Sequence, residues 1–242
     1  MKKTAMLFFA TLMLLINAGA QDLNDVIENY YKANGVDKLQ EVHTITMKGK
    51  SMQMGMETPF TQTMKRPGKS YLEVPIQGMT MKQGFDGEKA WMVAPWMGST
   101  DPIELSGLQL KSMKMQADMD GQLYNWEQKG YKAELEGTED LDGIKTYKVK
   151  LTDPDGDIFI HFIDSENWII LKTKSIIQNQ GATIEAETFY SNYKMVNDIP
   201  MPFAIESKVD GQTVSTIMVD EILLNQETDD KIFAMPPKEA GE

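Results

Sequence analysis

His43 and His161 are the only imidazoles in a chain of 242 residues that has no cysteine. Those counts exclude a thiol nucleophile, a thiolate zinc site, a disulfide framework and a three-histidine metal centre. His161 lies inside Ile158-Phe159-Ile160-His161-Phe162-Ile163 and reads as a strand histidine before a general base; His43, close to Glu41, reads the same way at the entry to a strand. Asp153-Pro154-Asp155-Gly156-Asp157 has the oxygen donors of a calcium loop. It lacks the distal glutamate that completes such a loop, so it reads as a hairpin turn. There is no Gly-x-Ser-x-Gly elbow, no His-Glu-x-x-His pair, no phosphate loop and no dinucleotide fingerprint. Paired carboxylates such as Glu139-Asp140 are ordinary among 36 acidic residues. No catalytic residue, cofactor or metal site is assigned, and the chain reads as a non-enzyme.

Methionine is the unusual donor. The chain has 19, most of them between Met47 and Met119. Met52, Met54 and Met56 recur at every second residue, as do Met79 and Met81, which on a strand places each set on one face. Soft thioethers so arranged could hold Cu(I). Flexible thioethers also make an adaptable apolar wall for variable ligands, or simply fill a core. Copper sites recruit Cys or His beside Met, and neither lies in this stretch.

The elements that would position these residues follow a leader. Lys2 and Lys3 precede an apolar run from Ala5 to Ile16, and Ala18-Gly19-Ala20 offers a small-x-small cleavage site before Gln21. Residues 1–20 are therefore expected to be a signal peptide cleaved after Ala20, a retained anchor being the other reading. The run is shorter than the roughly 20 residues a spanning helix needs. Lys plus Arg total 24 and Asp plus Glu 36, a net charge of −12 that disfavours nucleic acid. Asp22 to Lys32 has helical apolar spacing, with Asp22 as cap and Gly35 just beyond the end. Asp101-Pro102-Ile103-Glu104 looks like a second helix start, followed by Leu105, Leu108, Ser112, Met115 and Met119 on one stripe. Elsewhere short alternating runs are cut by Asp86-Gly87, Asp142-Gly143, Asp155-Gly156 and Asp210-Gly211, which are hairpin signals. The pattern predicts about ten or eleven strands in one antiparallel sheet curling on itself, in a single domain spanning 21–242.

The order Lys65-Arg66-Pro67, then Asp86-Gly87, then Trp91 and Pro95 resembles the LolA-like superfamily of periplasmic outer-membrane lipoprotein-sorting proteins. Gly143 with Tyr147, Ile163-Asp164, and Asn225 with Phe233-Ala234-Met235-Pro236 extend the match over nearly the whole chain after the leader. The Met-rich second strand and the extra length depart from the family pattern. The resemblance implies an α+β, mainly antiparallel fold: an unclosed, curved half-barrel with short helices covering its concave face. It further implies a non-enzymatic, monomeric periplasmic carrier that shelters lipoprotein acyl chains or another lipid in an apolar hollow, with inner- and outer-membrane sorting proteins as partners. Met52, Met54, Met56, Phe60, Tyr71, Met79, Met81, Phe85, Trp91 and Trp96 are the expected lining. Arg66 matches the arginine that, in the family, hydrogen-bonds the helical lid and couples its opening to cargo transfer. On that basis its guanidinium is expected to reach carbonyls around Leu105–Met119. A solvated strand-end charge is the alternative for Arg66. For the whole chain the alternatives are a periplasmic Met-rich Cu(I)-binding protein and a secreted β-sheet interaction protein without a ligand.

Overall fold

The computed structural model describes residues 22–53, 55–179 and 181–238. The expected leader, residues 1–20, lies outside them. Among the described residues the chain forms one open antiparallel sheet of 13 strands. The first run comprises β1 (Thr44–Gln53), β2 (Met56–Lys65), β3 (Lys69–Ile76), β4 (Met79–Phe85), β5 (Ala90–Val93) and β6 (Ile103–Leu105). The second comprises β7 (Lys132–Leu141), β8 (Ile144–Thr152), β9 (Ile158–Asp164), β10 (Ile170–Asn179), β11 (Ala182–Val196), β12 (Ile199–Val209) and β13 (Gln212–Leu224). Each run is a meander, and the two are joined where β1 pairs with β13, which leaves β6 and β7 as the edges. Asp142-Gly143 and Asp210-Gly211 turn their hairpins with both residues at positive φ (53° and 88°, 50° and 74°). That geometry matches the twist of the flanking strands.

Three helices, α1 (Leu23–Ala33), α2 (Val36–Gln40) and α3 (Gly107–Ala117), lie on one face of the sheet. Asp22 caps α1 by accepting from the Asp25 N–H at 2.9 Å. Val26 and Ile27 of α1 are buried against Val149, Leu151, Phe159 and Ile163 of β8 and β9. Gly35 takes φ 59° between α1 and α2 and turns the chain into a short helix that the sequence pattern did not predict. Met113 and Ala117 of α3 pack on Phe85, Ala90 and Leu105 at the other end of the sheet.

Two local expectations are corrected. Met52 to Met56 is not one strand face, because Gly55 takes φ 77° and the chain reverses between β1 and β2. Asp101 does not start a helix: Ile103–Leu105 is β6, since Leu105 pairs with Ala90 and is buried beside Phe85, and α3 begins only after Ser106. With them the sheet has 13 strands where about ten or eleven were expected.

Side chains alternate between the helix-bearing face and an outer face covered by the C-terminal segment. On β4, Phe85 points to the helices while neighbouring Gly84 lies in register with Tyr71 and Trp91 on the outer face. The Trp91 indole, 2% exposed, crosses directly over Gly84, and its Nε1–H donates to the Phe233 carbonyl at 2.8 Å. A Cβ at Gly84 would sit 2.4 Å from that ring. Gly84→Ala is therefore expected to cost roughly 2 kcal/mol through overpacking, lowering the melting temperature by about 4–8 °C. An unchanged melt would show that the indole yields freely.

Candidate functional site

Arg66 stands in the turn after β2, where its own N–H donates to the His43 carbonyl at 3.0 Å. Its guanidinium uses four bonds. Nε donates to Val42 O at 2.8 Å and one Nη to Leu39 O at 3.0 Å, at the end of α2, where helix carbonyls lack intrahelical partners. The other bonds form a fork on the Asp120 carboxylate, three residues beyond α3. Gln40 also donates to Asp120, at 2.7 Å. The Asp120 bonds hold Arg66 above its usual pKa against the pull of burial. Burial pushes the Asp120 carboxyl up, but the bonds and charge of Arg66, with Gln40 and Lys129, bring it below the usual carboxylate range. The carbonyls that Arg66 holds thus belong to the end of α2 and the step beyond it. The reach toward the helical insertion is made through a carboxylate instead.

Two further ammonium groups fasten α3. Lys111 sits among Asp153, Asp155 and Asp157 of the β8–β9 turn, its Nζ 2.5, 2.9 and 2.5 Å from their oxygens. A side-chain ammonium therefore occupies the centre of the acidic turn read above as a hairpin. Lys129 binds Asp118 just past the helix and the Gly121 carbonyl at 2.7 Å.

Under this fastened helix run three chambers. The largest, about 440 Å³, is an apolar groove between Leu108, Ser112 and Met115 of the helix and Phe159, Ile177 and Ile184 of the sheet. Next to it, a partly open hollow of about 300 Å³ is lined by Tyr30, Gln122, His161, Thr173, Tyr190 and Tyr193. The third, about 390 Å³, lies beside Arg66 against Phe85, Ala117 and Asp120. Met115 is a wall of both the first and second, and Asp118 of both the second and third. Each volume falls within the roughly 300–1,000 Å³ of small-ligand sites. The strand register explains the gradient. Phe159 lies opposite Ser175 and His161 opposite Thr173, and Ile177 opposite Ile184, so one face of β9–β11 grades from apolar to polar.

The expected lining divides between faces. Register places Met56, Phe60, Met79, Met81 and Phe85 on the helix-bearing side, with Phe85 at the chamber beside Arg66. Met52, Tyr71 and Trp91 are on the outer side. Trp96 stands in a short 3-10 turn, 45% exposed. Met54 lies outside the described residues. Sequence reasoning missed the floor on β9–β11 that faces α3. The usable signal was a histidine at an inward position of an otherwise apolar strand.

No family model matches the chain, and no curated protein matches it in sequence. Solved structures do match in fold. A DUF1329 family protein from Desulfovibrio piger superposes with a TM-score of 0.61 at 14% identity, covering 86% of this chain and 97% of that one. A LolA superfamily protein from Nitrosomonas europaea gives 0.60 at 16%, covering 88% and 97%. A domain from Vibrio parahaemolyticus named for outer membrane lipoprotein sorting gives 0.59 at 8%, covering 86% and 95%. The chain therefore has the LolA-like fold, an open half-barrel of antiparallel strands with helices on one face.

His161 gives the site a pH signature. Burial pushes its imidazole down from 6.5 to about 4. The unfolded chain takes up that proton near pH 6.5, so the stability contributed by neutral His161 is complete above 6.5. It is lost as pH falls from 6.5 to 4, by roughly 3 kcal/mol at about 1.36 kcal/mol per unit. Carboxylates such as Asp120 and Asp230, whose folded values are depressed (Asp230 to about 2), give way at lower pH. Urea melts between pH 7 and 4.5 should show wild type weakening across this window and His161→Phe nearly flat. Parallel curves would refute the buried neutral imidazole.

Proposed function

We propose that the chain is a non-enzymatic periplasmic carrier that shelters acyl chains of a lipoprotein, or of another lipid-like ligand, and delivers them towards the outer membrane. The observation that carries this reading is the set of adjoining hollows against α3, a helix that is buried on the sheet through Met113 and Ala117 at one end and is otherwise fastened by charged and hydrogen-bonded groups. A buried methylene is worth about 0.8 kcal/mol, so an acyl chain gains strongly from such a hollow. Release then needs the lid to move, and polar fasteners can be exchanged for water at small net cost. The LolA-like fold and one structural neighbour named for lipoprotein sorting support the same reading. Export rests on the leader in residues 1–20.

Arg66 is the coupling residue in this scheme. A guanidinium can bind a carboxylate in a fork while holding two carbonyls, which an ammonium cannot copy. Arg66→Leu leaves Asp120 without its main partner. It should cost about 2 kcal/mol, between the limits for surface and buried pairs.

Native mass spectrometry of detergent-free protein should show adducts of lipid mass. Arg66→Leu should retain them but pass a bound lipoprotein to outer-membrane vesicles more slowly, and Arg66→Lys should not restore the rate. Absence of any lipid adduct, with no uptake of added acyl chains, would overturn the carrier reading. Unchanged transfer in Arg66→Leu would return Arg66 to a strand-end charge.

A further inference from the structure

The apolar groove is open to any hydrocarbon, but the chamber beyond Met115 is not. Its wall holds a buried polar atom that the fold leaves unanswered: His161 is 4% exposed, and its Nε2 has no hydrogen-bond partner. Native interiors rarely leave such an atom unsatisfied. The ring cannot swing elsewhere without loss, because Nδ1 lies 3.0 Å from the Thr173 hydroxyl, itself beside Tyr190. With Thr173 donating to Nδ1, the imidazole proton sits on Nε2, in a ring that forms part of the chamber wall. Gln122 brings a second donor: its Nε2 is buried with no partner in good hydrogen-bond geometry, and although it lies close enough to the Tyr131 hydroxyl to offset part of the rise that burial gives that phenol's pKa, an amide nitrogen has two N–H groups to give.

Charge narrows the occupant. Asp118 is the one charged side chain in the wall, and Lys129 already neutralises it. With no free cation to meet it and the imidazole kept neutral by burial, a phosphate or carboxylate head would lose its hydration for nothing in return. An uncharged acceptor oxygen would meet two waiting donors.

We propose that this chamber is a carbonyl subsite: it takes the uncharged ester or amide carbonyl of an acylated amphiphile, held by His161 Nε2–H and Gln122 Nε2–H, while the hydrocarbon lies in the groove beneath α3. The proposal rests on the carrier reading and adds the head-group chemistry. It makes the site selective for esters and amides over free fatty acids and phosphate heads. It also fixes the direction of the chain, with the carbonyl toward α1 and the tail toward Ile177 and Ile184.

The test uses the mature chain labelled with ¹⁵N-histidine and three probes of similar hydrocarbon length: methyl palmitate, palmitate and hexadecane. Methyl palmitate should bind at least about tenfold more tightly than either of the others, as one or two net hydrogen bonds allow. It should shift the His161 Nε2–H resonance, and the infrared band of its ¹³C-labelled carbonyl should fall. Gln122→Leu and His161→Phe should each reduce the preference over hexadecane several-fold while hexadecane itself still binds. Gln122 stands in a half-buried turn rather than in a strand, so its variant reports even where the strand substitution unsettles folding. Equal affinities for the three probes, a preference that survives both substitutions, or an unprotonated Nε2 would overturn the subsite and leave the carrier standing. No binding of any probe would overturn both. A dipalmitoylglyceryl-cysteinyl peptide and dipalmitoylglycerol, run in parallel, should both exceed hexadecane, and the tighter one identifies whether a lipoprotein anchor or a free neutral lipid is the source. Failure of both to exceed it would count against the subsite.

Discussion

The guanidinium of Arg66 joins three pieces of chain around which Leu39, Val42, Met64 and Met119 pack in one apolar cluster. It sits at the end of β2, holds the carbonyls of Leu39 and Val42 after the short helix α2, and grips the carboxylate of Asp120 past α3. Remove it, and Asp120 keeps only Gln40 and the distant charge of Lys129. The node ties the end of α2 to the segment after α3, while α1 and α3 are also held to the sheet by their own buried apolar residues. It is partly shielded, with the two side chains 23% and 14% exposed, so its bonds are stronger than those of a surface pair while water can still reach it.

The rest of the lid follows the same plan. Lys111 at one flank and Lys129 at the other meet carboxylates, while the underside of α3 offers Leu108 and Met115 to the groove. In the proposed carrier, polar groups at the rim and apolar groups beneath would divide two tasks: the rim would hold the helix in place, and the hollow would supply non-directional burial for varied chains. Methionine suits the shared wall between groove and polar chamber because its unbranched thioether side chain adjusts to irregular contents.

Much of this architecture was legible because local chemistry and global fold agree. The Asp-Gly pairs mark hairpins since both residues can take positive φ, and Asp22 with the apolar spacing after it marks α1. The half-barrel followed from many short strands and from motifs around Arg66 and Trp91. The lining was less legible. A shift of one residue reverses a strand's faces, and Tyr71 and Trp91 fall opposite Phe85 for that reason alone. The helix start expected at Asp101 failed because burial of Leu105 on the sheet outweighed a good local capping pattern. Asp120 as the partner of Arg66 is a contact between residues 54 apart in the chain, which no local pattern encodes.

The central claim is that hydrocarbon lies between α3 and the sheet, and photolabelling reads that position directly. A palmitoyl ester carrying a diazirine at its far end, bound to the protein and irradiated, should label Met115, Ile177 or Ile184, as mapped by peptide mass spectrometry. Labels confined instead to the exposed Met56, Met79 and Met97 at the hairpin tips, or to the outer face around Tyr71, would contradict it.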